Sequence, residues 1–282
     1  MINVTMEQIR KDKGITIDTL TKNVFSRVTY DNFKKGKHDI KLNSFLLLMN
    51  NLYLLPEEMI ILTDESSKDS LKNVLKSLRI LTVNHDVRGM EKLRRDLLKS
   101  KRFYSNHISE LIDLRIIRET RNIDLGLIQK GSIIVKYLMS TEKWTRYEII
   151  LFTNAMFIFD SELIDISLNR VFKTIKNTEN IQPYGEEKFR ILLDAYIVFF
   201  EREDYRYILK WKKFLESYQL SPVFFFEKTM QTVFSLFIKY IEIKNTKYLE
   251  EVYSITIMLS KINCEEYSKI ITDMNSFIKE VY

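Results

Sequence analysis

The chain has little of what irregular or sheet-rich folds require. Its 282 residues include six glycines and three prolines, too few for the turns of a β-sandwich or the glycine-dependent crossings of a Rossmann fold. One cysteine, Cys264, excludes an intramolecular disulfide; it fits a reducing compartment and is expected to pack as a small hydrophobe. His38, His85 and His107 lie far apart, and with a lone cysteine they give no zinc-ligand spacing. The sequence has no glycine-rich phosphate loop, no HExxH helix and no nucleophile elbow, so neither an enzyme nor a bound cofactor is expected. No basic-then-apolar leader opens it. Of its most apolar stretches, IILFTNAMFIF is too short to span a bilayer, and PVFFFEKTMQTVFSLFIKYIEI carries Glu227, Lys228 and Lys239. A cytoplasmic protein with no membrane partner follows as the expectation.

What is present suits helix packed on helix. Hydrophobic residues make up 45% of the chain, and 18 Phe with 15 Tyr supply large side chains for the gaps between helices. The net charge of +6 suits a polyanionic partner without identifying one.

Residues 5–62 read as five short helices. Met6, Ile9 and Arg10 give the first an inward face, and Gly14 can end it in a left-handed conformation. Thr16 can cap the second, with Ile17, Leu20 and Val24 inward. Ser26 opens the third, held to the core by Phe33 with Val28 or Tyr30. Its outward side carries Arg27, Thr29, Tyr30 and Asn32. Arginine can donate to guanine, asparagine can pair with adenine, and a threonine methyl can meet thymine. Ser26, Lys34, Lys35, Lys37 and Lys41 are placed for phosphates, which position a domain without specifying sequence. Leu42, Phe45, Leu48, Met49 and Leu52 define a fourth helix, and PEEMIIL, begun by Pro56, a fifth. Two readings remain open on the residues alone: a helix-turn-helix reader of double-stranded DNA, or a small basic module that docks a protein.

Those segments, QIRKDKGITIDTL and FSRVTYDNFKKGKHDIKLNSFLLLMNNL, resemble the helix-turn-helix domain of Cro/C1-type repressors, in the version of the Rgg/GadR/MutR family of bacterial regulators. The resemblance carries the base-reading role onto Arg27, Thr29, Tyr30 and Asn32. One departure concerns Lys34, where the family pattern has a glutamate that helps fix the helices internally.

After a polar linker, TDESSKDS at 63–70, helical patterns follow one another to the carboxyl terminus. Segments are expected near 131–140, 145–159, 161–176, 185–200, 204–217, 222–243, 245–260 and 264–280, with breaks at Asn84-His85, Asn122, Pro183-Tyr184-Gly185 and Ser221-Pro222. Stacked antiparallel pairs in a right-handed, tetratricopeptide-like superhelix would account for this series. The segment EKWTRYEIILFTNAM, 142–156, also resembles the Rgg family. Its Trp144, Tyr147, Glu148, Leu151 and Phe152 share one helix face and read as core. Arg146 and Asn154 fall off that face and are candidates to hold a peptide backbone or carboxylate.

The expected architecture is therefore all-α, with a five-helix Cro/C1-type helix-turn-helix domain over 1–64 and a helical repeat domain over 65–282. The family resemblance implies a homodimeric regulator answering to a short signalling peptide, with RNA polymerase a further candidate partner. Alternatives are a protein-interaction scaffold and a DNA-binding regulator whose repeats bind no ligand.

Overall fold

The computed structural model describes residues 2–55, 58–59, 70–120, 125–176 and 184–282, and these are helical with connecting turns. In chain order the helices are α1 (Ile2–Asp12), α2 (Ile17–Thr21), α3 (Arg27–Lys34), α4 (Leu42–Asn51), α5 (Leu71–Val83), α6 (Val87–Ser100), α7 (Ser105–Thr120) and α8 (Leu125–Gly131). They continue as α9 (Ile133–Ser140), α10 (Arg146–Ala155), a 3₁₀ turn (Met156–Ile158), α11 (Ser161–Lys176) and α12 (Tyr184–Glu201). The last four are α13 (Tyr205–Ser217), α14 (Phe225–Ile243), α15 (Lys247–Lys261) and α16 (Glu265–Val281).

The chain divides into two units, Met1–Asp86 and Val87–Tyr282. Helix α5, assigned from the sequence to the second domain, therefore groups with the first. The expected fifth helix, PEEMIIL, and the linker at 63–70 fall largely outside the described residues.

In the first unit Met6, Leu20, Tyr30, Phe33, Leu48 and Leu52 meet at the centre, with Ile9, Ile17, Val24 and Phe45 packed around them. Helix α1 begins at Ile2, three residues before the sequence expectation, and this start brings Asn3 into the buried set.

In the second unit each helix packs on its successor from α11 to α16, and α12 also meets α14, as α14 meets α16. Helix α11 occupies the expected 161–176, and the later helices begin and end within three residues of their expected bounds. The sequence did not foresee α8, seven residues ending in Gly131. Cys264 is half-exposed at the α15–α16 turn rather than packed in the core.

Turns are made with almost no glycine. Asn23, Tyr53, His85, Lys101, Glu203, Lys244 and Asn263 all hold φ between 48° and 61°, alongside Gly14 and Gly36. At Glu203 the amide donates to the Phe200 carbonyl, and the next amide, of Asp204, reaches back to Phe199 at 2.9 Å. This pair of bonds satisfies the open carbonyls at the end of α12. The scarcity of glycine therefore reflects left-handed turns built from other residues.

Candidate nucleic-acid interface

Helix α3 has eight residues, fewer than an isolated helix needs to persist in water, so its ends and its buried face must hold it. Ser26 Oγ accepts the Thr29 amide at 3.3 Å, and the two hydroxyls lie 3.0 Å apart. At the other end Gly36 takes φ 68°, and the Lys37 amide donates back to the Asn32 carbonyl at 2.9 Å. A Cβ at Gly36 would also come within 3.4 Å of Asn3 Nδ2. That nitrogen donates to the carbonyls of Phe33 and Lys34, each at 3.2 Å, so α1 caps the far end of α3.

The buried face consists of Tyr30 and Phe33. This corrects the placement of Tyr30 among the outward residues: its ring is fully buried and its hydroxyl donates to Glu7 Oε2 at 2.9 Å. Val28 is instead the exposed member of the pair. Glu7 accepts two further bonds from Arg10, from Nε and Nη2 at 2.8 Å each, while Arg10 Nη1 donates to the Ile15 carbonyl. One carboxylate thus joins α1, the α1–α2 turn and α3. The Arg10 hydrogen bonds, aided by Tyr30 against the cost of burial, hold the Glu7 carboxyl down at about 2. Burial and the Glu7 bond push the Tyr30 phenol up. The acid that the resemblance places at position 34 is here supplied by α1, and Lys34 turns to Asp31 at 3.2 Å.

What α3 leaves to solvent is a polar end with one apolar side chain. Ser26, Arg27, Val28 and Thr29 are exposed, Asn32 and Lys34 are half-buried, and Lys35, Lys37 and Lys41 are exposed beyond them. Arg27 Nη1 lies 3.6 Å from Asp18 of α2, an exposed pair that water screens strongly. Residues 1–55 hold nine Lys and Arg against five Asp and Glu, a local +4 out of the chain's +6. Two helices joined by a short turn, the second offering donors and flanked by lysines, can lay α3 against a polyanion.

In the second unit the EKWTRYEIILFTNAM segment serves packing. Trp144, Glu148, Leu151 and Phe152 are buried, with Tyr147 half-buried. Trp144 Nε1 donates to the Leu138 carbonyl at 3.1 Å. Glu148 accepts the Thr145 amide at 2.6 Å and hydroxyl at 2.7 Å, together with the Tyr137 hydroxyl. Arg146 is exposed at the start of α10. Asn154 Nδ2 donates within its own helix to the Ile150 carbonyl at 2.9 Å, and its carbonyl accepts from Arg115 at 3.0 Å. Eight residues separate these two candidates, about 12 Å along the axis. Near Asn154, the Arg115 guanidinium stacks 4.3 Å from the Phe157 centroid, and burial lowers its pKa to about 10. A separate cleft of about 400 Å³ runs along α13, lined by Asn169, Lys210, Trp211, Lys213, Phe214 and Ser217. Among the described residues no group of three or more His, Cys, Asp or Glu could hold a metal, and no helix is long and apolar enough to cross a membrane.

Comparison with known proteins agrees with this organisation. Solved structures share the fold at low identity. A candidate transcriptional regulator from Listeria monocytogenes EGD-e superposes with a TM-score of 0.80 at 17% identity, covering 99% of this chain and 97% of that one. The SHP pheromone receptor Rgg2 of Streptococcus dysgalactiae gives 0.71 at 17% identity over the full length of both chains. The PrgX/cCF10 complex gives 0.64 at 13% identity, covering 99% of this chain and 92% of that one. No curated protein matches the chain. Residues 90–271, well over half of the chain, match the family model described as the C-terminal domain of the HTH-type transcriptional regulator Rgg, and the chain therefore belongs to the Rgg family of DNA-binding transcriptional regulators.

Proposed function

We propose that the protein binds operator DNA as a homodimer, presenting α3 of each Cro/C1-type helix-turn-helix to successive major grooves about 34 Å apart. The observation that carries this reading is the division of labour on α3. Tyr30 and Phe33 seal the core, while Arg27, Val28 and Thr29 stand in solvent beside an exposed lysine group. In this reading Arg27 donates to guanine, Asn32 pairs with adenine, and the Thr29 or Val28 methyls meet thymine. Ser26, Lys34, Lys35, Lys37 and Lys41 hold phosphates. Tyr30 has no place among the base contacts, because its hydroxyl is already committed to Glu7.

The repeat unit, in the same proposal a tetratricopeptide-like superhelix, binds a short signalling peptide. Support comes from family membership and from the likeness to a pheromone receptor. Arg146 and Asn154 remain candidate peptide contacts, and RNA polymerase a candidate partner at the promoter. A peptide alters DNA binding only to the extent that it favours one arrangement of the dimer over another.

Selection of duplexes from a random pool, followed by binding measurements on variants, tests the reader. Arg27→Ala is expected to cost about 1–3 kcal/mol at one base pair and flatten preference there. Lys37→Ala should weaken all duplexes alike and reduce the salt slope by about one. Unchanged binding of every duplex by both variants would refute the assignment of this face.

A further inference from the structure

The positive charge of the second unit is concentrated at its start. Residues 87–102 hold seven Lys and Arg against two Asp and Glu, whereas residues 103–282 hold 24 against 25. Helix α6, Val87–Ser100, carries most of this excess. Its Met90 and Leu97 are buried, and Arg94 turns toward α7, 2.6 Å from Asp113. On the opposite face Arg88, Lys92, Arg95 and Lys99 are all exposed. Their spacings of four, three and four residues place them within an arc of about 60°, along about 16 Å of helix.

Nothing in α6 itself favours that arrangement. Like charges three and four residues apart repel one another. Arg88 stands in the first turn, where the helix dipole disfavours a cation, and no acid shares that turn. Glu91 borders the stripe and comes within 3.9 Å of Arg95, an exposed pair that water screens. Arg88, Lys92 and Lys99 have no acidic partner among the described residues. The stripe is therefore a local cost to the helix, of the kind that an outside polyanion offsets.

We infer that this face of α6 lies along a phosphate backbone of the bound duplex, outside the bases that α3 reads. The inference rests on the DNA reading given above and adds a second, sequence-independent surface to it. A duplex is a line of fixed negative charge, one per about 1.7 Å of axis, and a straight row of cations can follow such a line. A single small anion is a poorer occupant, because side chains spread over three turns do not converge on one point. A bilayer is poorer as well. An interfacial helix buries its apolar face in lipid, and that of α6 is already packed on α7.

The test uses full-length protein and a duplex carrying the selected operator with long arbitrary flanks on both sides. One variant combines Arg88→Gln, Lys92→Gln, Arg95→Gln and Lys99→Gln, since glutamine matches lysine and arginine in helix propensity. A control combines Lys136→Gln, Lys143→Gln, Lys228→Gln and Lys239→Gln, all exposed, and removes equal charge elsewhere in the unit. Affinity is followed from low to high salt, with thermal unfolding recorded alongside. The stripe variant should melt with the wild type and bind at least about tenfold more weakly near ~0.1 M salt. Its salt slope should fall by about 3 or more with the preferred bases unchanged, while the control slope moves by less than about one. If the combined variant melts early, Lys92→Gln alone decides, with an expected fall in slope of at least about one. Equal slopes for the stripe and control variants overturn the inference and leave the DNA reading standing. So does a stripe variant that binds the duplex as the wild type does but no longer adheres to polyglutamate, which would give the face to an acidic protein. A wild type that binds no duplex from the random pool overturns both.

Discussion

The amino-terminal unit and the repeat unit fix their helices by different means. In residues 1–86 the fully buried core draws only Tyr30 from the aromatics, with Phe33 close behind, and long polar side chains tie the elements together. Asn3 reaches α3, Lys13 Nζ donates to the Leu52 carbonyl at 2.8 Å, and Asn51 Nδ2 donates to the Leu20 carbonyl at 2.8 Å. In residues 87–282 aromatic rings mesh instead: Tyr196 and Phe200 each lie within 5.8 Å of Phe234, and Trp144 lies 5.5 Å from Phe152. The polar ties fix direction at a few points, whereas the rings fill volume. A small unit with little core area gains more from the first device, and a long stack from the second.

The contrast can be broken by removing one member of each device. Trp144→Ala should cost the repeat unit about 3–5 kcal/mol in denaturant unfolding, because it leaves a cavity where the ring packed and removes one of the two donors to the Leu138 carbonyl, the other being Arg170. A loss below 1 kcal/mol would mean that the rings are not what holds this unit.

Removing the ionic tie should have the next largest effect. Glu7→Ala strands Arg10 and the Tyr30 hydroxyl, with an expected loss of about 3 kcal/mol confined to the amino-terminal unit. The tie is also sensitive to acid in a defined window. The Glu7 carboxyl sits near 2 when folded against an ordinary 4.5, so its stabilisation is complete above 4.5 and disappears as pH falls through about 2. Glu7→Gln should flatten the acid limb of the stability profile across that interval. A profile shared by wild type and Glu7→Gln would show that the tie does not act as described.

The smallest change expected is a gain. Glu203 is exposed with φ 58°, and a glycine there would relieve left-handed strain, raising stability by about 0.5–1 kcal/mol. Thermal denaturation of Glu203→Gly checks this. A drop would mean that the side chain supports the turn by contacts stronger than its strain.

Legibility in the sequence followed the same division. Long apolar periodicities placed α11 through α16 closely, because helices of thirteen residues or more sample the 3.6-residue repeat several times. The caps at Thr16 and Ser26 were readable from residue type alone. Helix α3 was too short for periodicity to decide between Val28 and Tyr30. Tyrosine carries both a core-sized ring and a polar tip, so it was placed on both faces at once. The role of Asn3 depended on a contact thirty residues away, and Glu7 looked like an ordinary surface acid.

Anchoring α3 through Glu7 of α1 has a consequence for how this lineage can vary. Where the internal acid belongs to the third helix itself, as the family pattern has it at position 34, that position is tied to one charge. With the anion seated on another helix, position 34 can change sign without loosening the frame, and here it is a lysine bonded to its own neighbour. The outer surface of this unit is thus free to drift toward new targets while its skeleton stays the same.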